Sequence, residues 1–239
     1  MAVLVGTHPV LEALRAGRPI EQVLIARGAS GARLREIVER CRSASVPVRF
    51  EPRQLLDRMA DGSPHQGVVA VAAAHHYADL EDLIPGARLL VALDGVQDPH
   101  NLGAIIRTAH AAGAGGVILP ERRSAGLSPA VVKAAAGALE YVPVARVVNL
   151  SRALDRLKEA DYWIYGLDER GDRNYDRLEY ADRAVFVLGG EGHGLHEHVR
   201  KRCDFLIRIP TAGAIASLNV SVAAGIALFE WRKQHSQSA

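Results

Sequence analysis

Two runs of wholly apolar residues, Leu89 to Leu93 and Ala184 to Leu188, and a third, Phe205 to Ile209, apolar except for Arg208, recur through the last two thirds of the chain. Between them lie stretches whose apolar residues follow helical spacing. A strand without a polar face must be covered on both sides, and strands that alternate with helices run parallel. The second half is therefore expected to form a mostly parallel sheet with helices on both faces. Further strands are expected at Gly116 to Leu119, Val142 to Val147 and Trp163 to Leu167. Helices are expected at Leu102 to Ala112, Pro129 to Ala136, Ser151 to Ala160 and Leu195 to Lys201, with a long final helix that Ser217 is placed to cap.

The first part of the chain reads as a smaller alternating α/β unit. Thr7-His8-Pro9 has the cap and early proline of a short helix ending at Gly17. Strands at Gln22 to Ala26, Val46 to Phe50 and Gly67 to Ala73 alternate with helices at Leu34 to Cys41 and Gln54 to Met59, the second opened by Pro52. The polar stretch His75 to Gly86, punctuated by Pro85-Gly86, is the best boundary. The division expected is residues 1–75, a linker at 76–87, and a second domain over 88–239.

In a parallel sheet, ligands sit beyond the carboxyl ends of strands, so the loops that leave strands carry the chemistry. Three stand out. Asp94 to Gly103 follows the first apolar strand, and Asp98-Pro99 aims Asn101 at the start of a helix that carries Arg107. Gly103 there clears space for another backbone or a substrate. The second loop, Gly189-Gly190-Glu191-Gly192-His193-Gly194, lets backbone amides approach a ligand closely. It lacks the third glycine and the later acid of a dinucleotide fingerprint, and also the lysine of a triphosphate loop. The third, Pro210 to Ser221, sets Thr211, Ser217, Asn219 and Ser221 in an apolar run, where buried polar groups must hold each other or a ligand. A plain core helix with an internal asparagine explains that run equally well. A membrane span does not, because Pro210 and Gly213 interrupt it.

Charge adds a second asymmetry. Residues 1 to 75 carry 10 arginines, no lysine and 7 acids, whereas the remainder is slightly acidic. Arginine suits phosphate and base-stacking contacts. The same excess also follows from a general bias, since the whole chain has 25 arginines against 4 lysines. Cys41 and Cys203 are far apart and suggest neither a disulfide framework nor a zinc site. His196 and His198, alternate residues on a helix, diverge and read as surface side chains, with Cys203 a buried thiol and no metal expected. Met1 to Val10 has no basic start followed by an apolar core, so a cytoplasmic location is expected.

Taken together, D-P-x-N-x-G-x-x-x-R, L-G-x-E-G-x-G and I-P-x-x-G-x-x-x-S-L-N-V-S-x-A resemble the three motifs of the SpoU/TrmH (SPOUT) family of RNA ribose 2′-O-methyltransferases. The resemblance covers nearly the whole chain. His65 to Ala70 and Leu93 to Ala109 are especially similar to the RlmB branch, which modifies a guanosine in the peptidyl-transferase loop of bacterial 23S rRNA. It implies a parallel-sheet domain tied in a trefoil knot, an exception to the rule that chains are not knotted. Before this domain it implies a small L30e-like α/β domain that binds the RNA substrate. It implies a homodimer, S-adenosylmethionine as methyl donor, and an active-site set of Asn101, Arg107, Glu191, Ser217 and Asn219. Gly189, Ile209 and Leu218 would contact the donor. His193 stands where the family pattern is variable and is given no role. Methyl transfer to a sugar hydroxyl needs alignment and proton removal but no metal. The readings that compete with a 23S rRNA enzyme are a methyltransferase acting on tRNA or another rRNA site, a non-catalytic RNA-binding protein of the same fold, and a small-molecule nucleotide enzyme.

Overall fold

The structure, a computed structural model, describes residues 1–190, 192, 194–213 and 217–236. Two compact units emerge: Met1–His76 with Leu139–Tyr141, and Tyr77–Ala138 with Val142–Ala239.

The first unit runs β1 (Ala2–Val5), α1 (Thr7–Arg15), β2 (Ile20–Ala26), α2 (Ala32–Ser43), β3 (Val48–Glu51), α3 (Arg53–Met59) and β4 (Val68–Ala72). Its sheet has the order β1-β4-β2-β3. β3 runs parallel to β2, whereas β4 is antiparallel to both β1 and β2. Alternation along β2 divides the core: Leu24 and Ala26 pack with Leu56 and Val69 on one face, and Val23 and Ile25 are buried on the other. Thr7 does not cap α1. The N-cap position is Gly6, and the Thr7 hydroxyl donates instead to Gln66 Oε1 at 2.7 Å. Glu140, in the 3₁₀ turn Ala138–Glu140, accepts from Arg18 at 2.8 Å with both side chains nearly enclosed. Arg18 also donates to the Ala73 carbonyl and sits 2.7 Å from His75 Nε2. Burial, with the Arg18 charge second, pushes the His75 pKa down to about 4.

The second unit runs α4 (Leu80–Leu83), β5 (Leu89–Asp94), α5 (Pro99–Ala112), β6 (Gly116–Pro120), α6 (Pro129–Ala135), β7 (Val144–Val147), α7 (Leu150–Glu159), β8 (Trp163–Leu167), β9 (Arg173–Asn174), β10 (Ala184–Gly189), α8 (Glu197–Arg200), β11 (Phe205–Arg208) and α9 (Val220–His235). The sheet order is β7-β6-β5-β10-β8-β11-β9, and every pairing is parallel. β5 is buried at all six positions and β10 at its first five, as the apolar runs require. Leu90, Ala92, Val185 and Val187 meet Leu154, Leu157 and Val199 in one core, and α5 and α9 pack against each other. The stretch read as a linker is not free chain: Ala78 bridges Ala145 in parallel, and Leu83 of α4 is buried. Among the described residues no helix is long and apolar enough to cross a membrane.

Candidate active site at the carboxyl ends of the strands

Two central neighbours, β5 and β10, deliver the first two loops side by side. β5 ends on Asp94, a carboxylate only 5% exposed. The Gly190 amide donates to the Asp94 carbonyl at 2.8 Å, continuing the β5–β10 ladder into the loops. Here the backbones touch: a Cβ on Gly190 would sit 2.2 Å from the Gly95 carbonyl oxygen, and one on Gly189 would sit 2.1 Å from the Gly194 carbonyl carbon. Only glycine fits either position, because such distances lie far inside van der Waals contact. The loop folds back on itself through an antiparallel bridge between Gly190 and Gly194.

Asp94 accepts from the His196 amide at 2.7 Å and lies 3.0 Å from His196 Nδ1. His196, expected at the surface, is partly buried and tied to the end of β5. A carboxylate closing an apolar strand is a signal for such a partner, because a buried charge must be hydrogen-bonded. Cys203 packs against Gly166, and burial pushes its thiol up to about 12, so it is no nucleophile near neutral pH. Among the described residues no group of three or more His, Cys, Asp or Glu is placed to hold a metal ion.

α5 begins as its sequence dictates. Asp98 Oδ1 accepts from the His100 amide at 2.9 Å, and Pro99 takes the first helical position. Asn101, in the first turn, is buried. Gly103 makes room for a backbone rather than a substrate, since a Cβ there would meet Ala134 Cβ at 2.4 Å and the Val131 carbonyl of α6 at 2.8 Å. At α9 the cap is Asn219, not Ser217: Asn219 Oδ1 accepts from the Ser221 amide at 2.9 Å and from the Ser221 hydroxyl at 2.6 Å. Its Nδ2 donates to Asn101 Oδ1 at 2.9 Å, which ties the third loop to the first. Asparagine serves better than serine at that position because one amide can cap with its oxygen and bridge with its nitrogen.

Between β8, β10, β11 and the start of α9 lies a cleft of about 730 Å³. Gly189, Ile209, Leu218, Ser217 and Asn219 all line it, so five of the eight expected site residues share one wall system. Ser217, Leu218 and Asn219 are exposed there, so burial does not oblige the polar pair to find partners. Arg107 is not among the lining residues; it projects from the exposed side of α5, and among the described residues it makes no ion pair. Glu191 and His193 lie outside the described residues. Asp168, absent from the sequence reading, also lines the cleft. Burial alone would raise its pKa, but hydrogen bonds from Arg170 and the Arg200 charge hold it below the usual carboxylate range.

Comparison with known proteins agrees with this architecture. The family model for the SpoU rRNA Methylase family matches residues 88–229, and that for RNA 2′-O ribose methyltransferase substrate binding matches residues 3–78. A Staphylococcus aureus chain named for the TrmH family of tRNA/rRNA methyltransferases is 41% identical over 98% of this chain and 96% of its own length. The Bacillus subtilis relative YacO, named for the same family, is 39% identical over 97% and 96%. Among solved structures, the SpoU methyltransferase AviRb from Streptomyces viridochromogenes in complex with AdoMet superposes with a TM-score of 0.82 at 27% identity, covering 99% of this chain and 91% of that one. An AdoMet-bound rRNA methyltransferase from Sinorhizobium meliloti gives 0.82 at 29%, covering 97% and 86%.

Proposed function

Because the chain belongs to the SpoU rRNA methylase family, we propose that it transfers a methyl group from S-adenosylmethionine to the 2′-hydroxyl of a guanosine ribose in the peptidyl-transferase loop of bacterial 23S rRNA. The observation that carries this reading is the cleft at the strand ends. A neutral adenosyl group needs apolar walls and backbone hydrogen bonds. The cleft offers Leu188, Ile207, Ile209, Leu218 and Val220 as walls, with glycine backbone at Gly189, Gly190, Gly192 and Gly194. The donor therefore fits the residues present, and Gly189, Ile209 and Leu218 would hold it. When bound, it supplies a methyl group on a sulfonium centre.

The remaining work falls to side chains. Asn101 and Asn219, joined by their amides, fix the first loop to the third and set where the ribose lies relative to the cleft, with Ser217 beside them. A guanidinium stays protonated in proteins, which makes Arg107 a poor general base. Arg107 keeps its charge and stabilises the developing 2′-alkoxide, with Glu191 or Asn101 to orient it, and water takes the proton. A homodimer is the working assembly. α9 supports it by leaving Val222 and Phe229, seven residues apart on one face, 51% and 47% exposed. The trefoil knot is supported by the return of the chain from β11, one strand from the sheet edge, to α9 against α5. Residues 1–75 form the RNA-binding domain, 88–239 the methyltransferase domain, and the cytoplasm is the compartment.

Guanosine in 23S rRNA rests on the likeness of His65 to Ala70 and Leu93 to Ala109 to the RlmB branch. Mapping 2′-O-methyls on rRNA and tRNA from a deletion strain tests it. One guanosine methyl should vanish from 23S rRNA; loss of a tRNA methyl instead refutes the substrate. Calorimetric titration with S-adenosylmethionine tests the activity, and no binding at millimolar donor removes the enzyme reading.

A further inference from the structure

The first unit separates its arginines into two sets. Arg15, Arg18 and Arg40 are tied to Glu12, Glu36 and Glu140. The other seven of the ten in residues 1–75 form no ion pair among the described residues, and all seven are exposed. Several of them gather around one feature. β3 is an edge strand, paired only to β2, and it carries Phe50, which is 58% exposed. In the parallel register Phe50 stands opposite Ile25, so the two share a face of the sheet. Arg27 falls on the same face, two residues beyond Ile25. Its amide donates to the Glu51 carbonyl at 2.9 Å, and its Nε reaches back to the Phe50 carbonyl at 3.3 Å. Arg49 projects from the opposite face of the same edge, and Arg53 opens α3 just beyond it.

A lone exposed phenylalanine is ordinary. A phenylalanine on an open strand edge, flanked by guanidiniums that have no acidic partner, has the composition of a surface for single-stranded nucleic acid. Such surfaces combine an aromatic face for the base with cations for the backbone. A protein partner of the usual kind would instead meet a larger apolar patch with fewer unpaired charges. We propose that the β3 edge is a stacking platform for an unpaired nucleobase of the RNA substrate, with Phe50 under the base and Arg27, Arg49 and Arg53 on the flanking phosphates. The inference rests on the chain's being an RNA methyltransferase and adds where, and in which strandedness, the RNA is gripped.

The full-length protein is titrated with a short fluorescein-labelled single-stranded oligoribonucleotide and, separately, with a blunt RNA duplex. Phe50→Ala should weaken single-strand binding by about 5- to 100-fold, the range for one stacked base, and leave duplex binding unchanged. Phe50→Trp should restore or exceed wild-type affinity, and Arg27→Gln should weaken binding with a smaller salt dependence. Equal binding by Phe50→Ala and wild type, or equal loss on both RNAs, overturns the proposal. So does a change in sedimentation mass on Phe50→Ala, which would make the edge a contact between copies of this chain. Unchanged melting of the Phe50→Ala protein excludes unfolding as the cause of any loss. If wild type transfers no tritiated methyl to RNA, the failure is that of the methyltransferase reading, and the two titrations still decide the platform.

Discussion

The two units meet different demands with different materials. In the second, the strands all run one way, their carboxyl ends gather at one edge, and the cleft there combines glycine backbone at Gly189, Gly190, Gly192 and Gly194 with apolar walls and a charged side that carries Asp168 and Arg170. In the first, β4 runs against its neighbours, so the strand ends do not gather, and the surface is a field of side chains with unpaired charge. A small neutral heterocycle needs shape and a few fixed hydrogen bonds. A polyanion needs positive charge, which tolerates loose geometry.

The sharpest way to test this division is to remove the one cation expected to act within the second unit. Arg107→Ala should lower the single-turnover rate by about 10²–10⁴-fold, the range for a lost acid, base or oxyanion group, with donor affinity nearly unchanged. A variant that binds both substrates normally and methylates at the wild-type rate makes Arg107 structural and removes it from the site.

A chain beginning near Tyr77 attacks the comparison from the other side. It should bind S-adenosylmethionine as the full chain does while losing RNA affinity on the order of 10²-fold at low salt. The steep salt dependence of the intact protein should flatten with it. Salt-independent RNA binding by the intact protein would reduce the arginine excess to a composition effect.

The smallest effect concerns acid. Burial keeps His75 neutral down to about pH 4, with the Arg18 and His76 charges acting in the same sense. An unfolded histidine takes its proton near 6.5, so as pH falls below that the unfolded state binds the proton first. Stability is then lost between pH 6.5 and 4. Glu140, whose pKa burial raises despite Arg18, takes up a proton early and offsets part of the loss. By pH 5 the first unit should be destabilised by on the order of 1–2 kcal/mol, and His75→Gln should flatten the slope. Denaturant midpoints measured from pH 7 to 4 decide it; identical slopes in the two proteins would show that His75 contributes nothing.

Regular patterning carried most of the second unit. A wholly apolar run has one reading in a sheet covered on both faces, and the six strands of four or more residues there lie within a residue or two of expectation. β9 was invisible because two residues, Arg173-Asn174, have no period to detect. β1 is four residues long beside Gly6, and its partner β4 lies more than sixty residues away. The site was legible as residue types but not as contacts. Asn219 and Ser217 are both good caps, and the choice turns on the bond from Asn219 to Asn101, 118 positions apart. Asp94 and His196 meet across 102 positions, and no local pattern pairs them. Thr7 looked like a cap because local spacing carries no information about Gln66, 59 residues on.

The backbone-on-backbone seam at Gly95, Gly189, Gly190 and Gly194 makes part of the cleft floor inaccessible to ordinary sequence change. Every alternative amino acid adds a Cβ, and at Gly189 and Gly190 that atom has nowhere to go. Variation in this cleft is therefore channelled to its walls. Leu218, exposed in the cleft, can be shortened or lengthened without disturbing the seam. An engineer wishing to widen the cleft would start at Leu218 and Ile209, which line it, and leave the glycines alone. A random library over the loop should return survivors with glycine at 189 and 190 and broad substitution at 218.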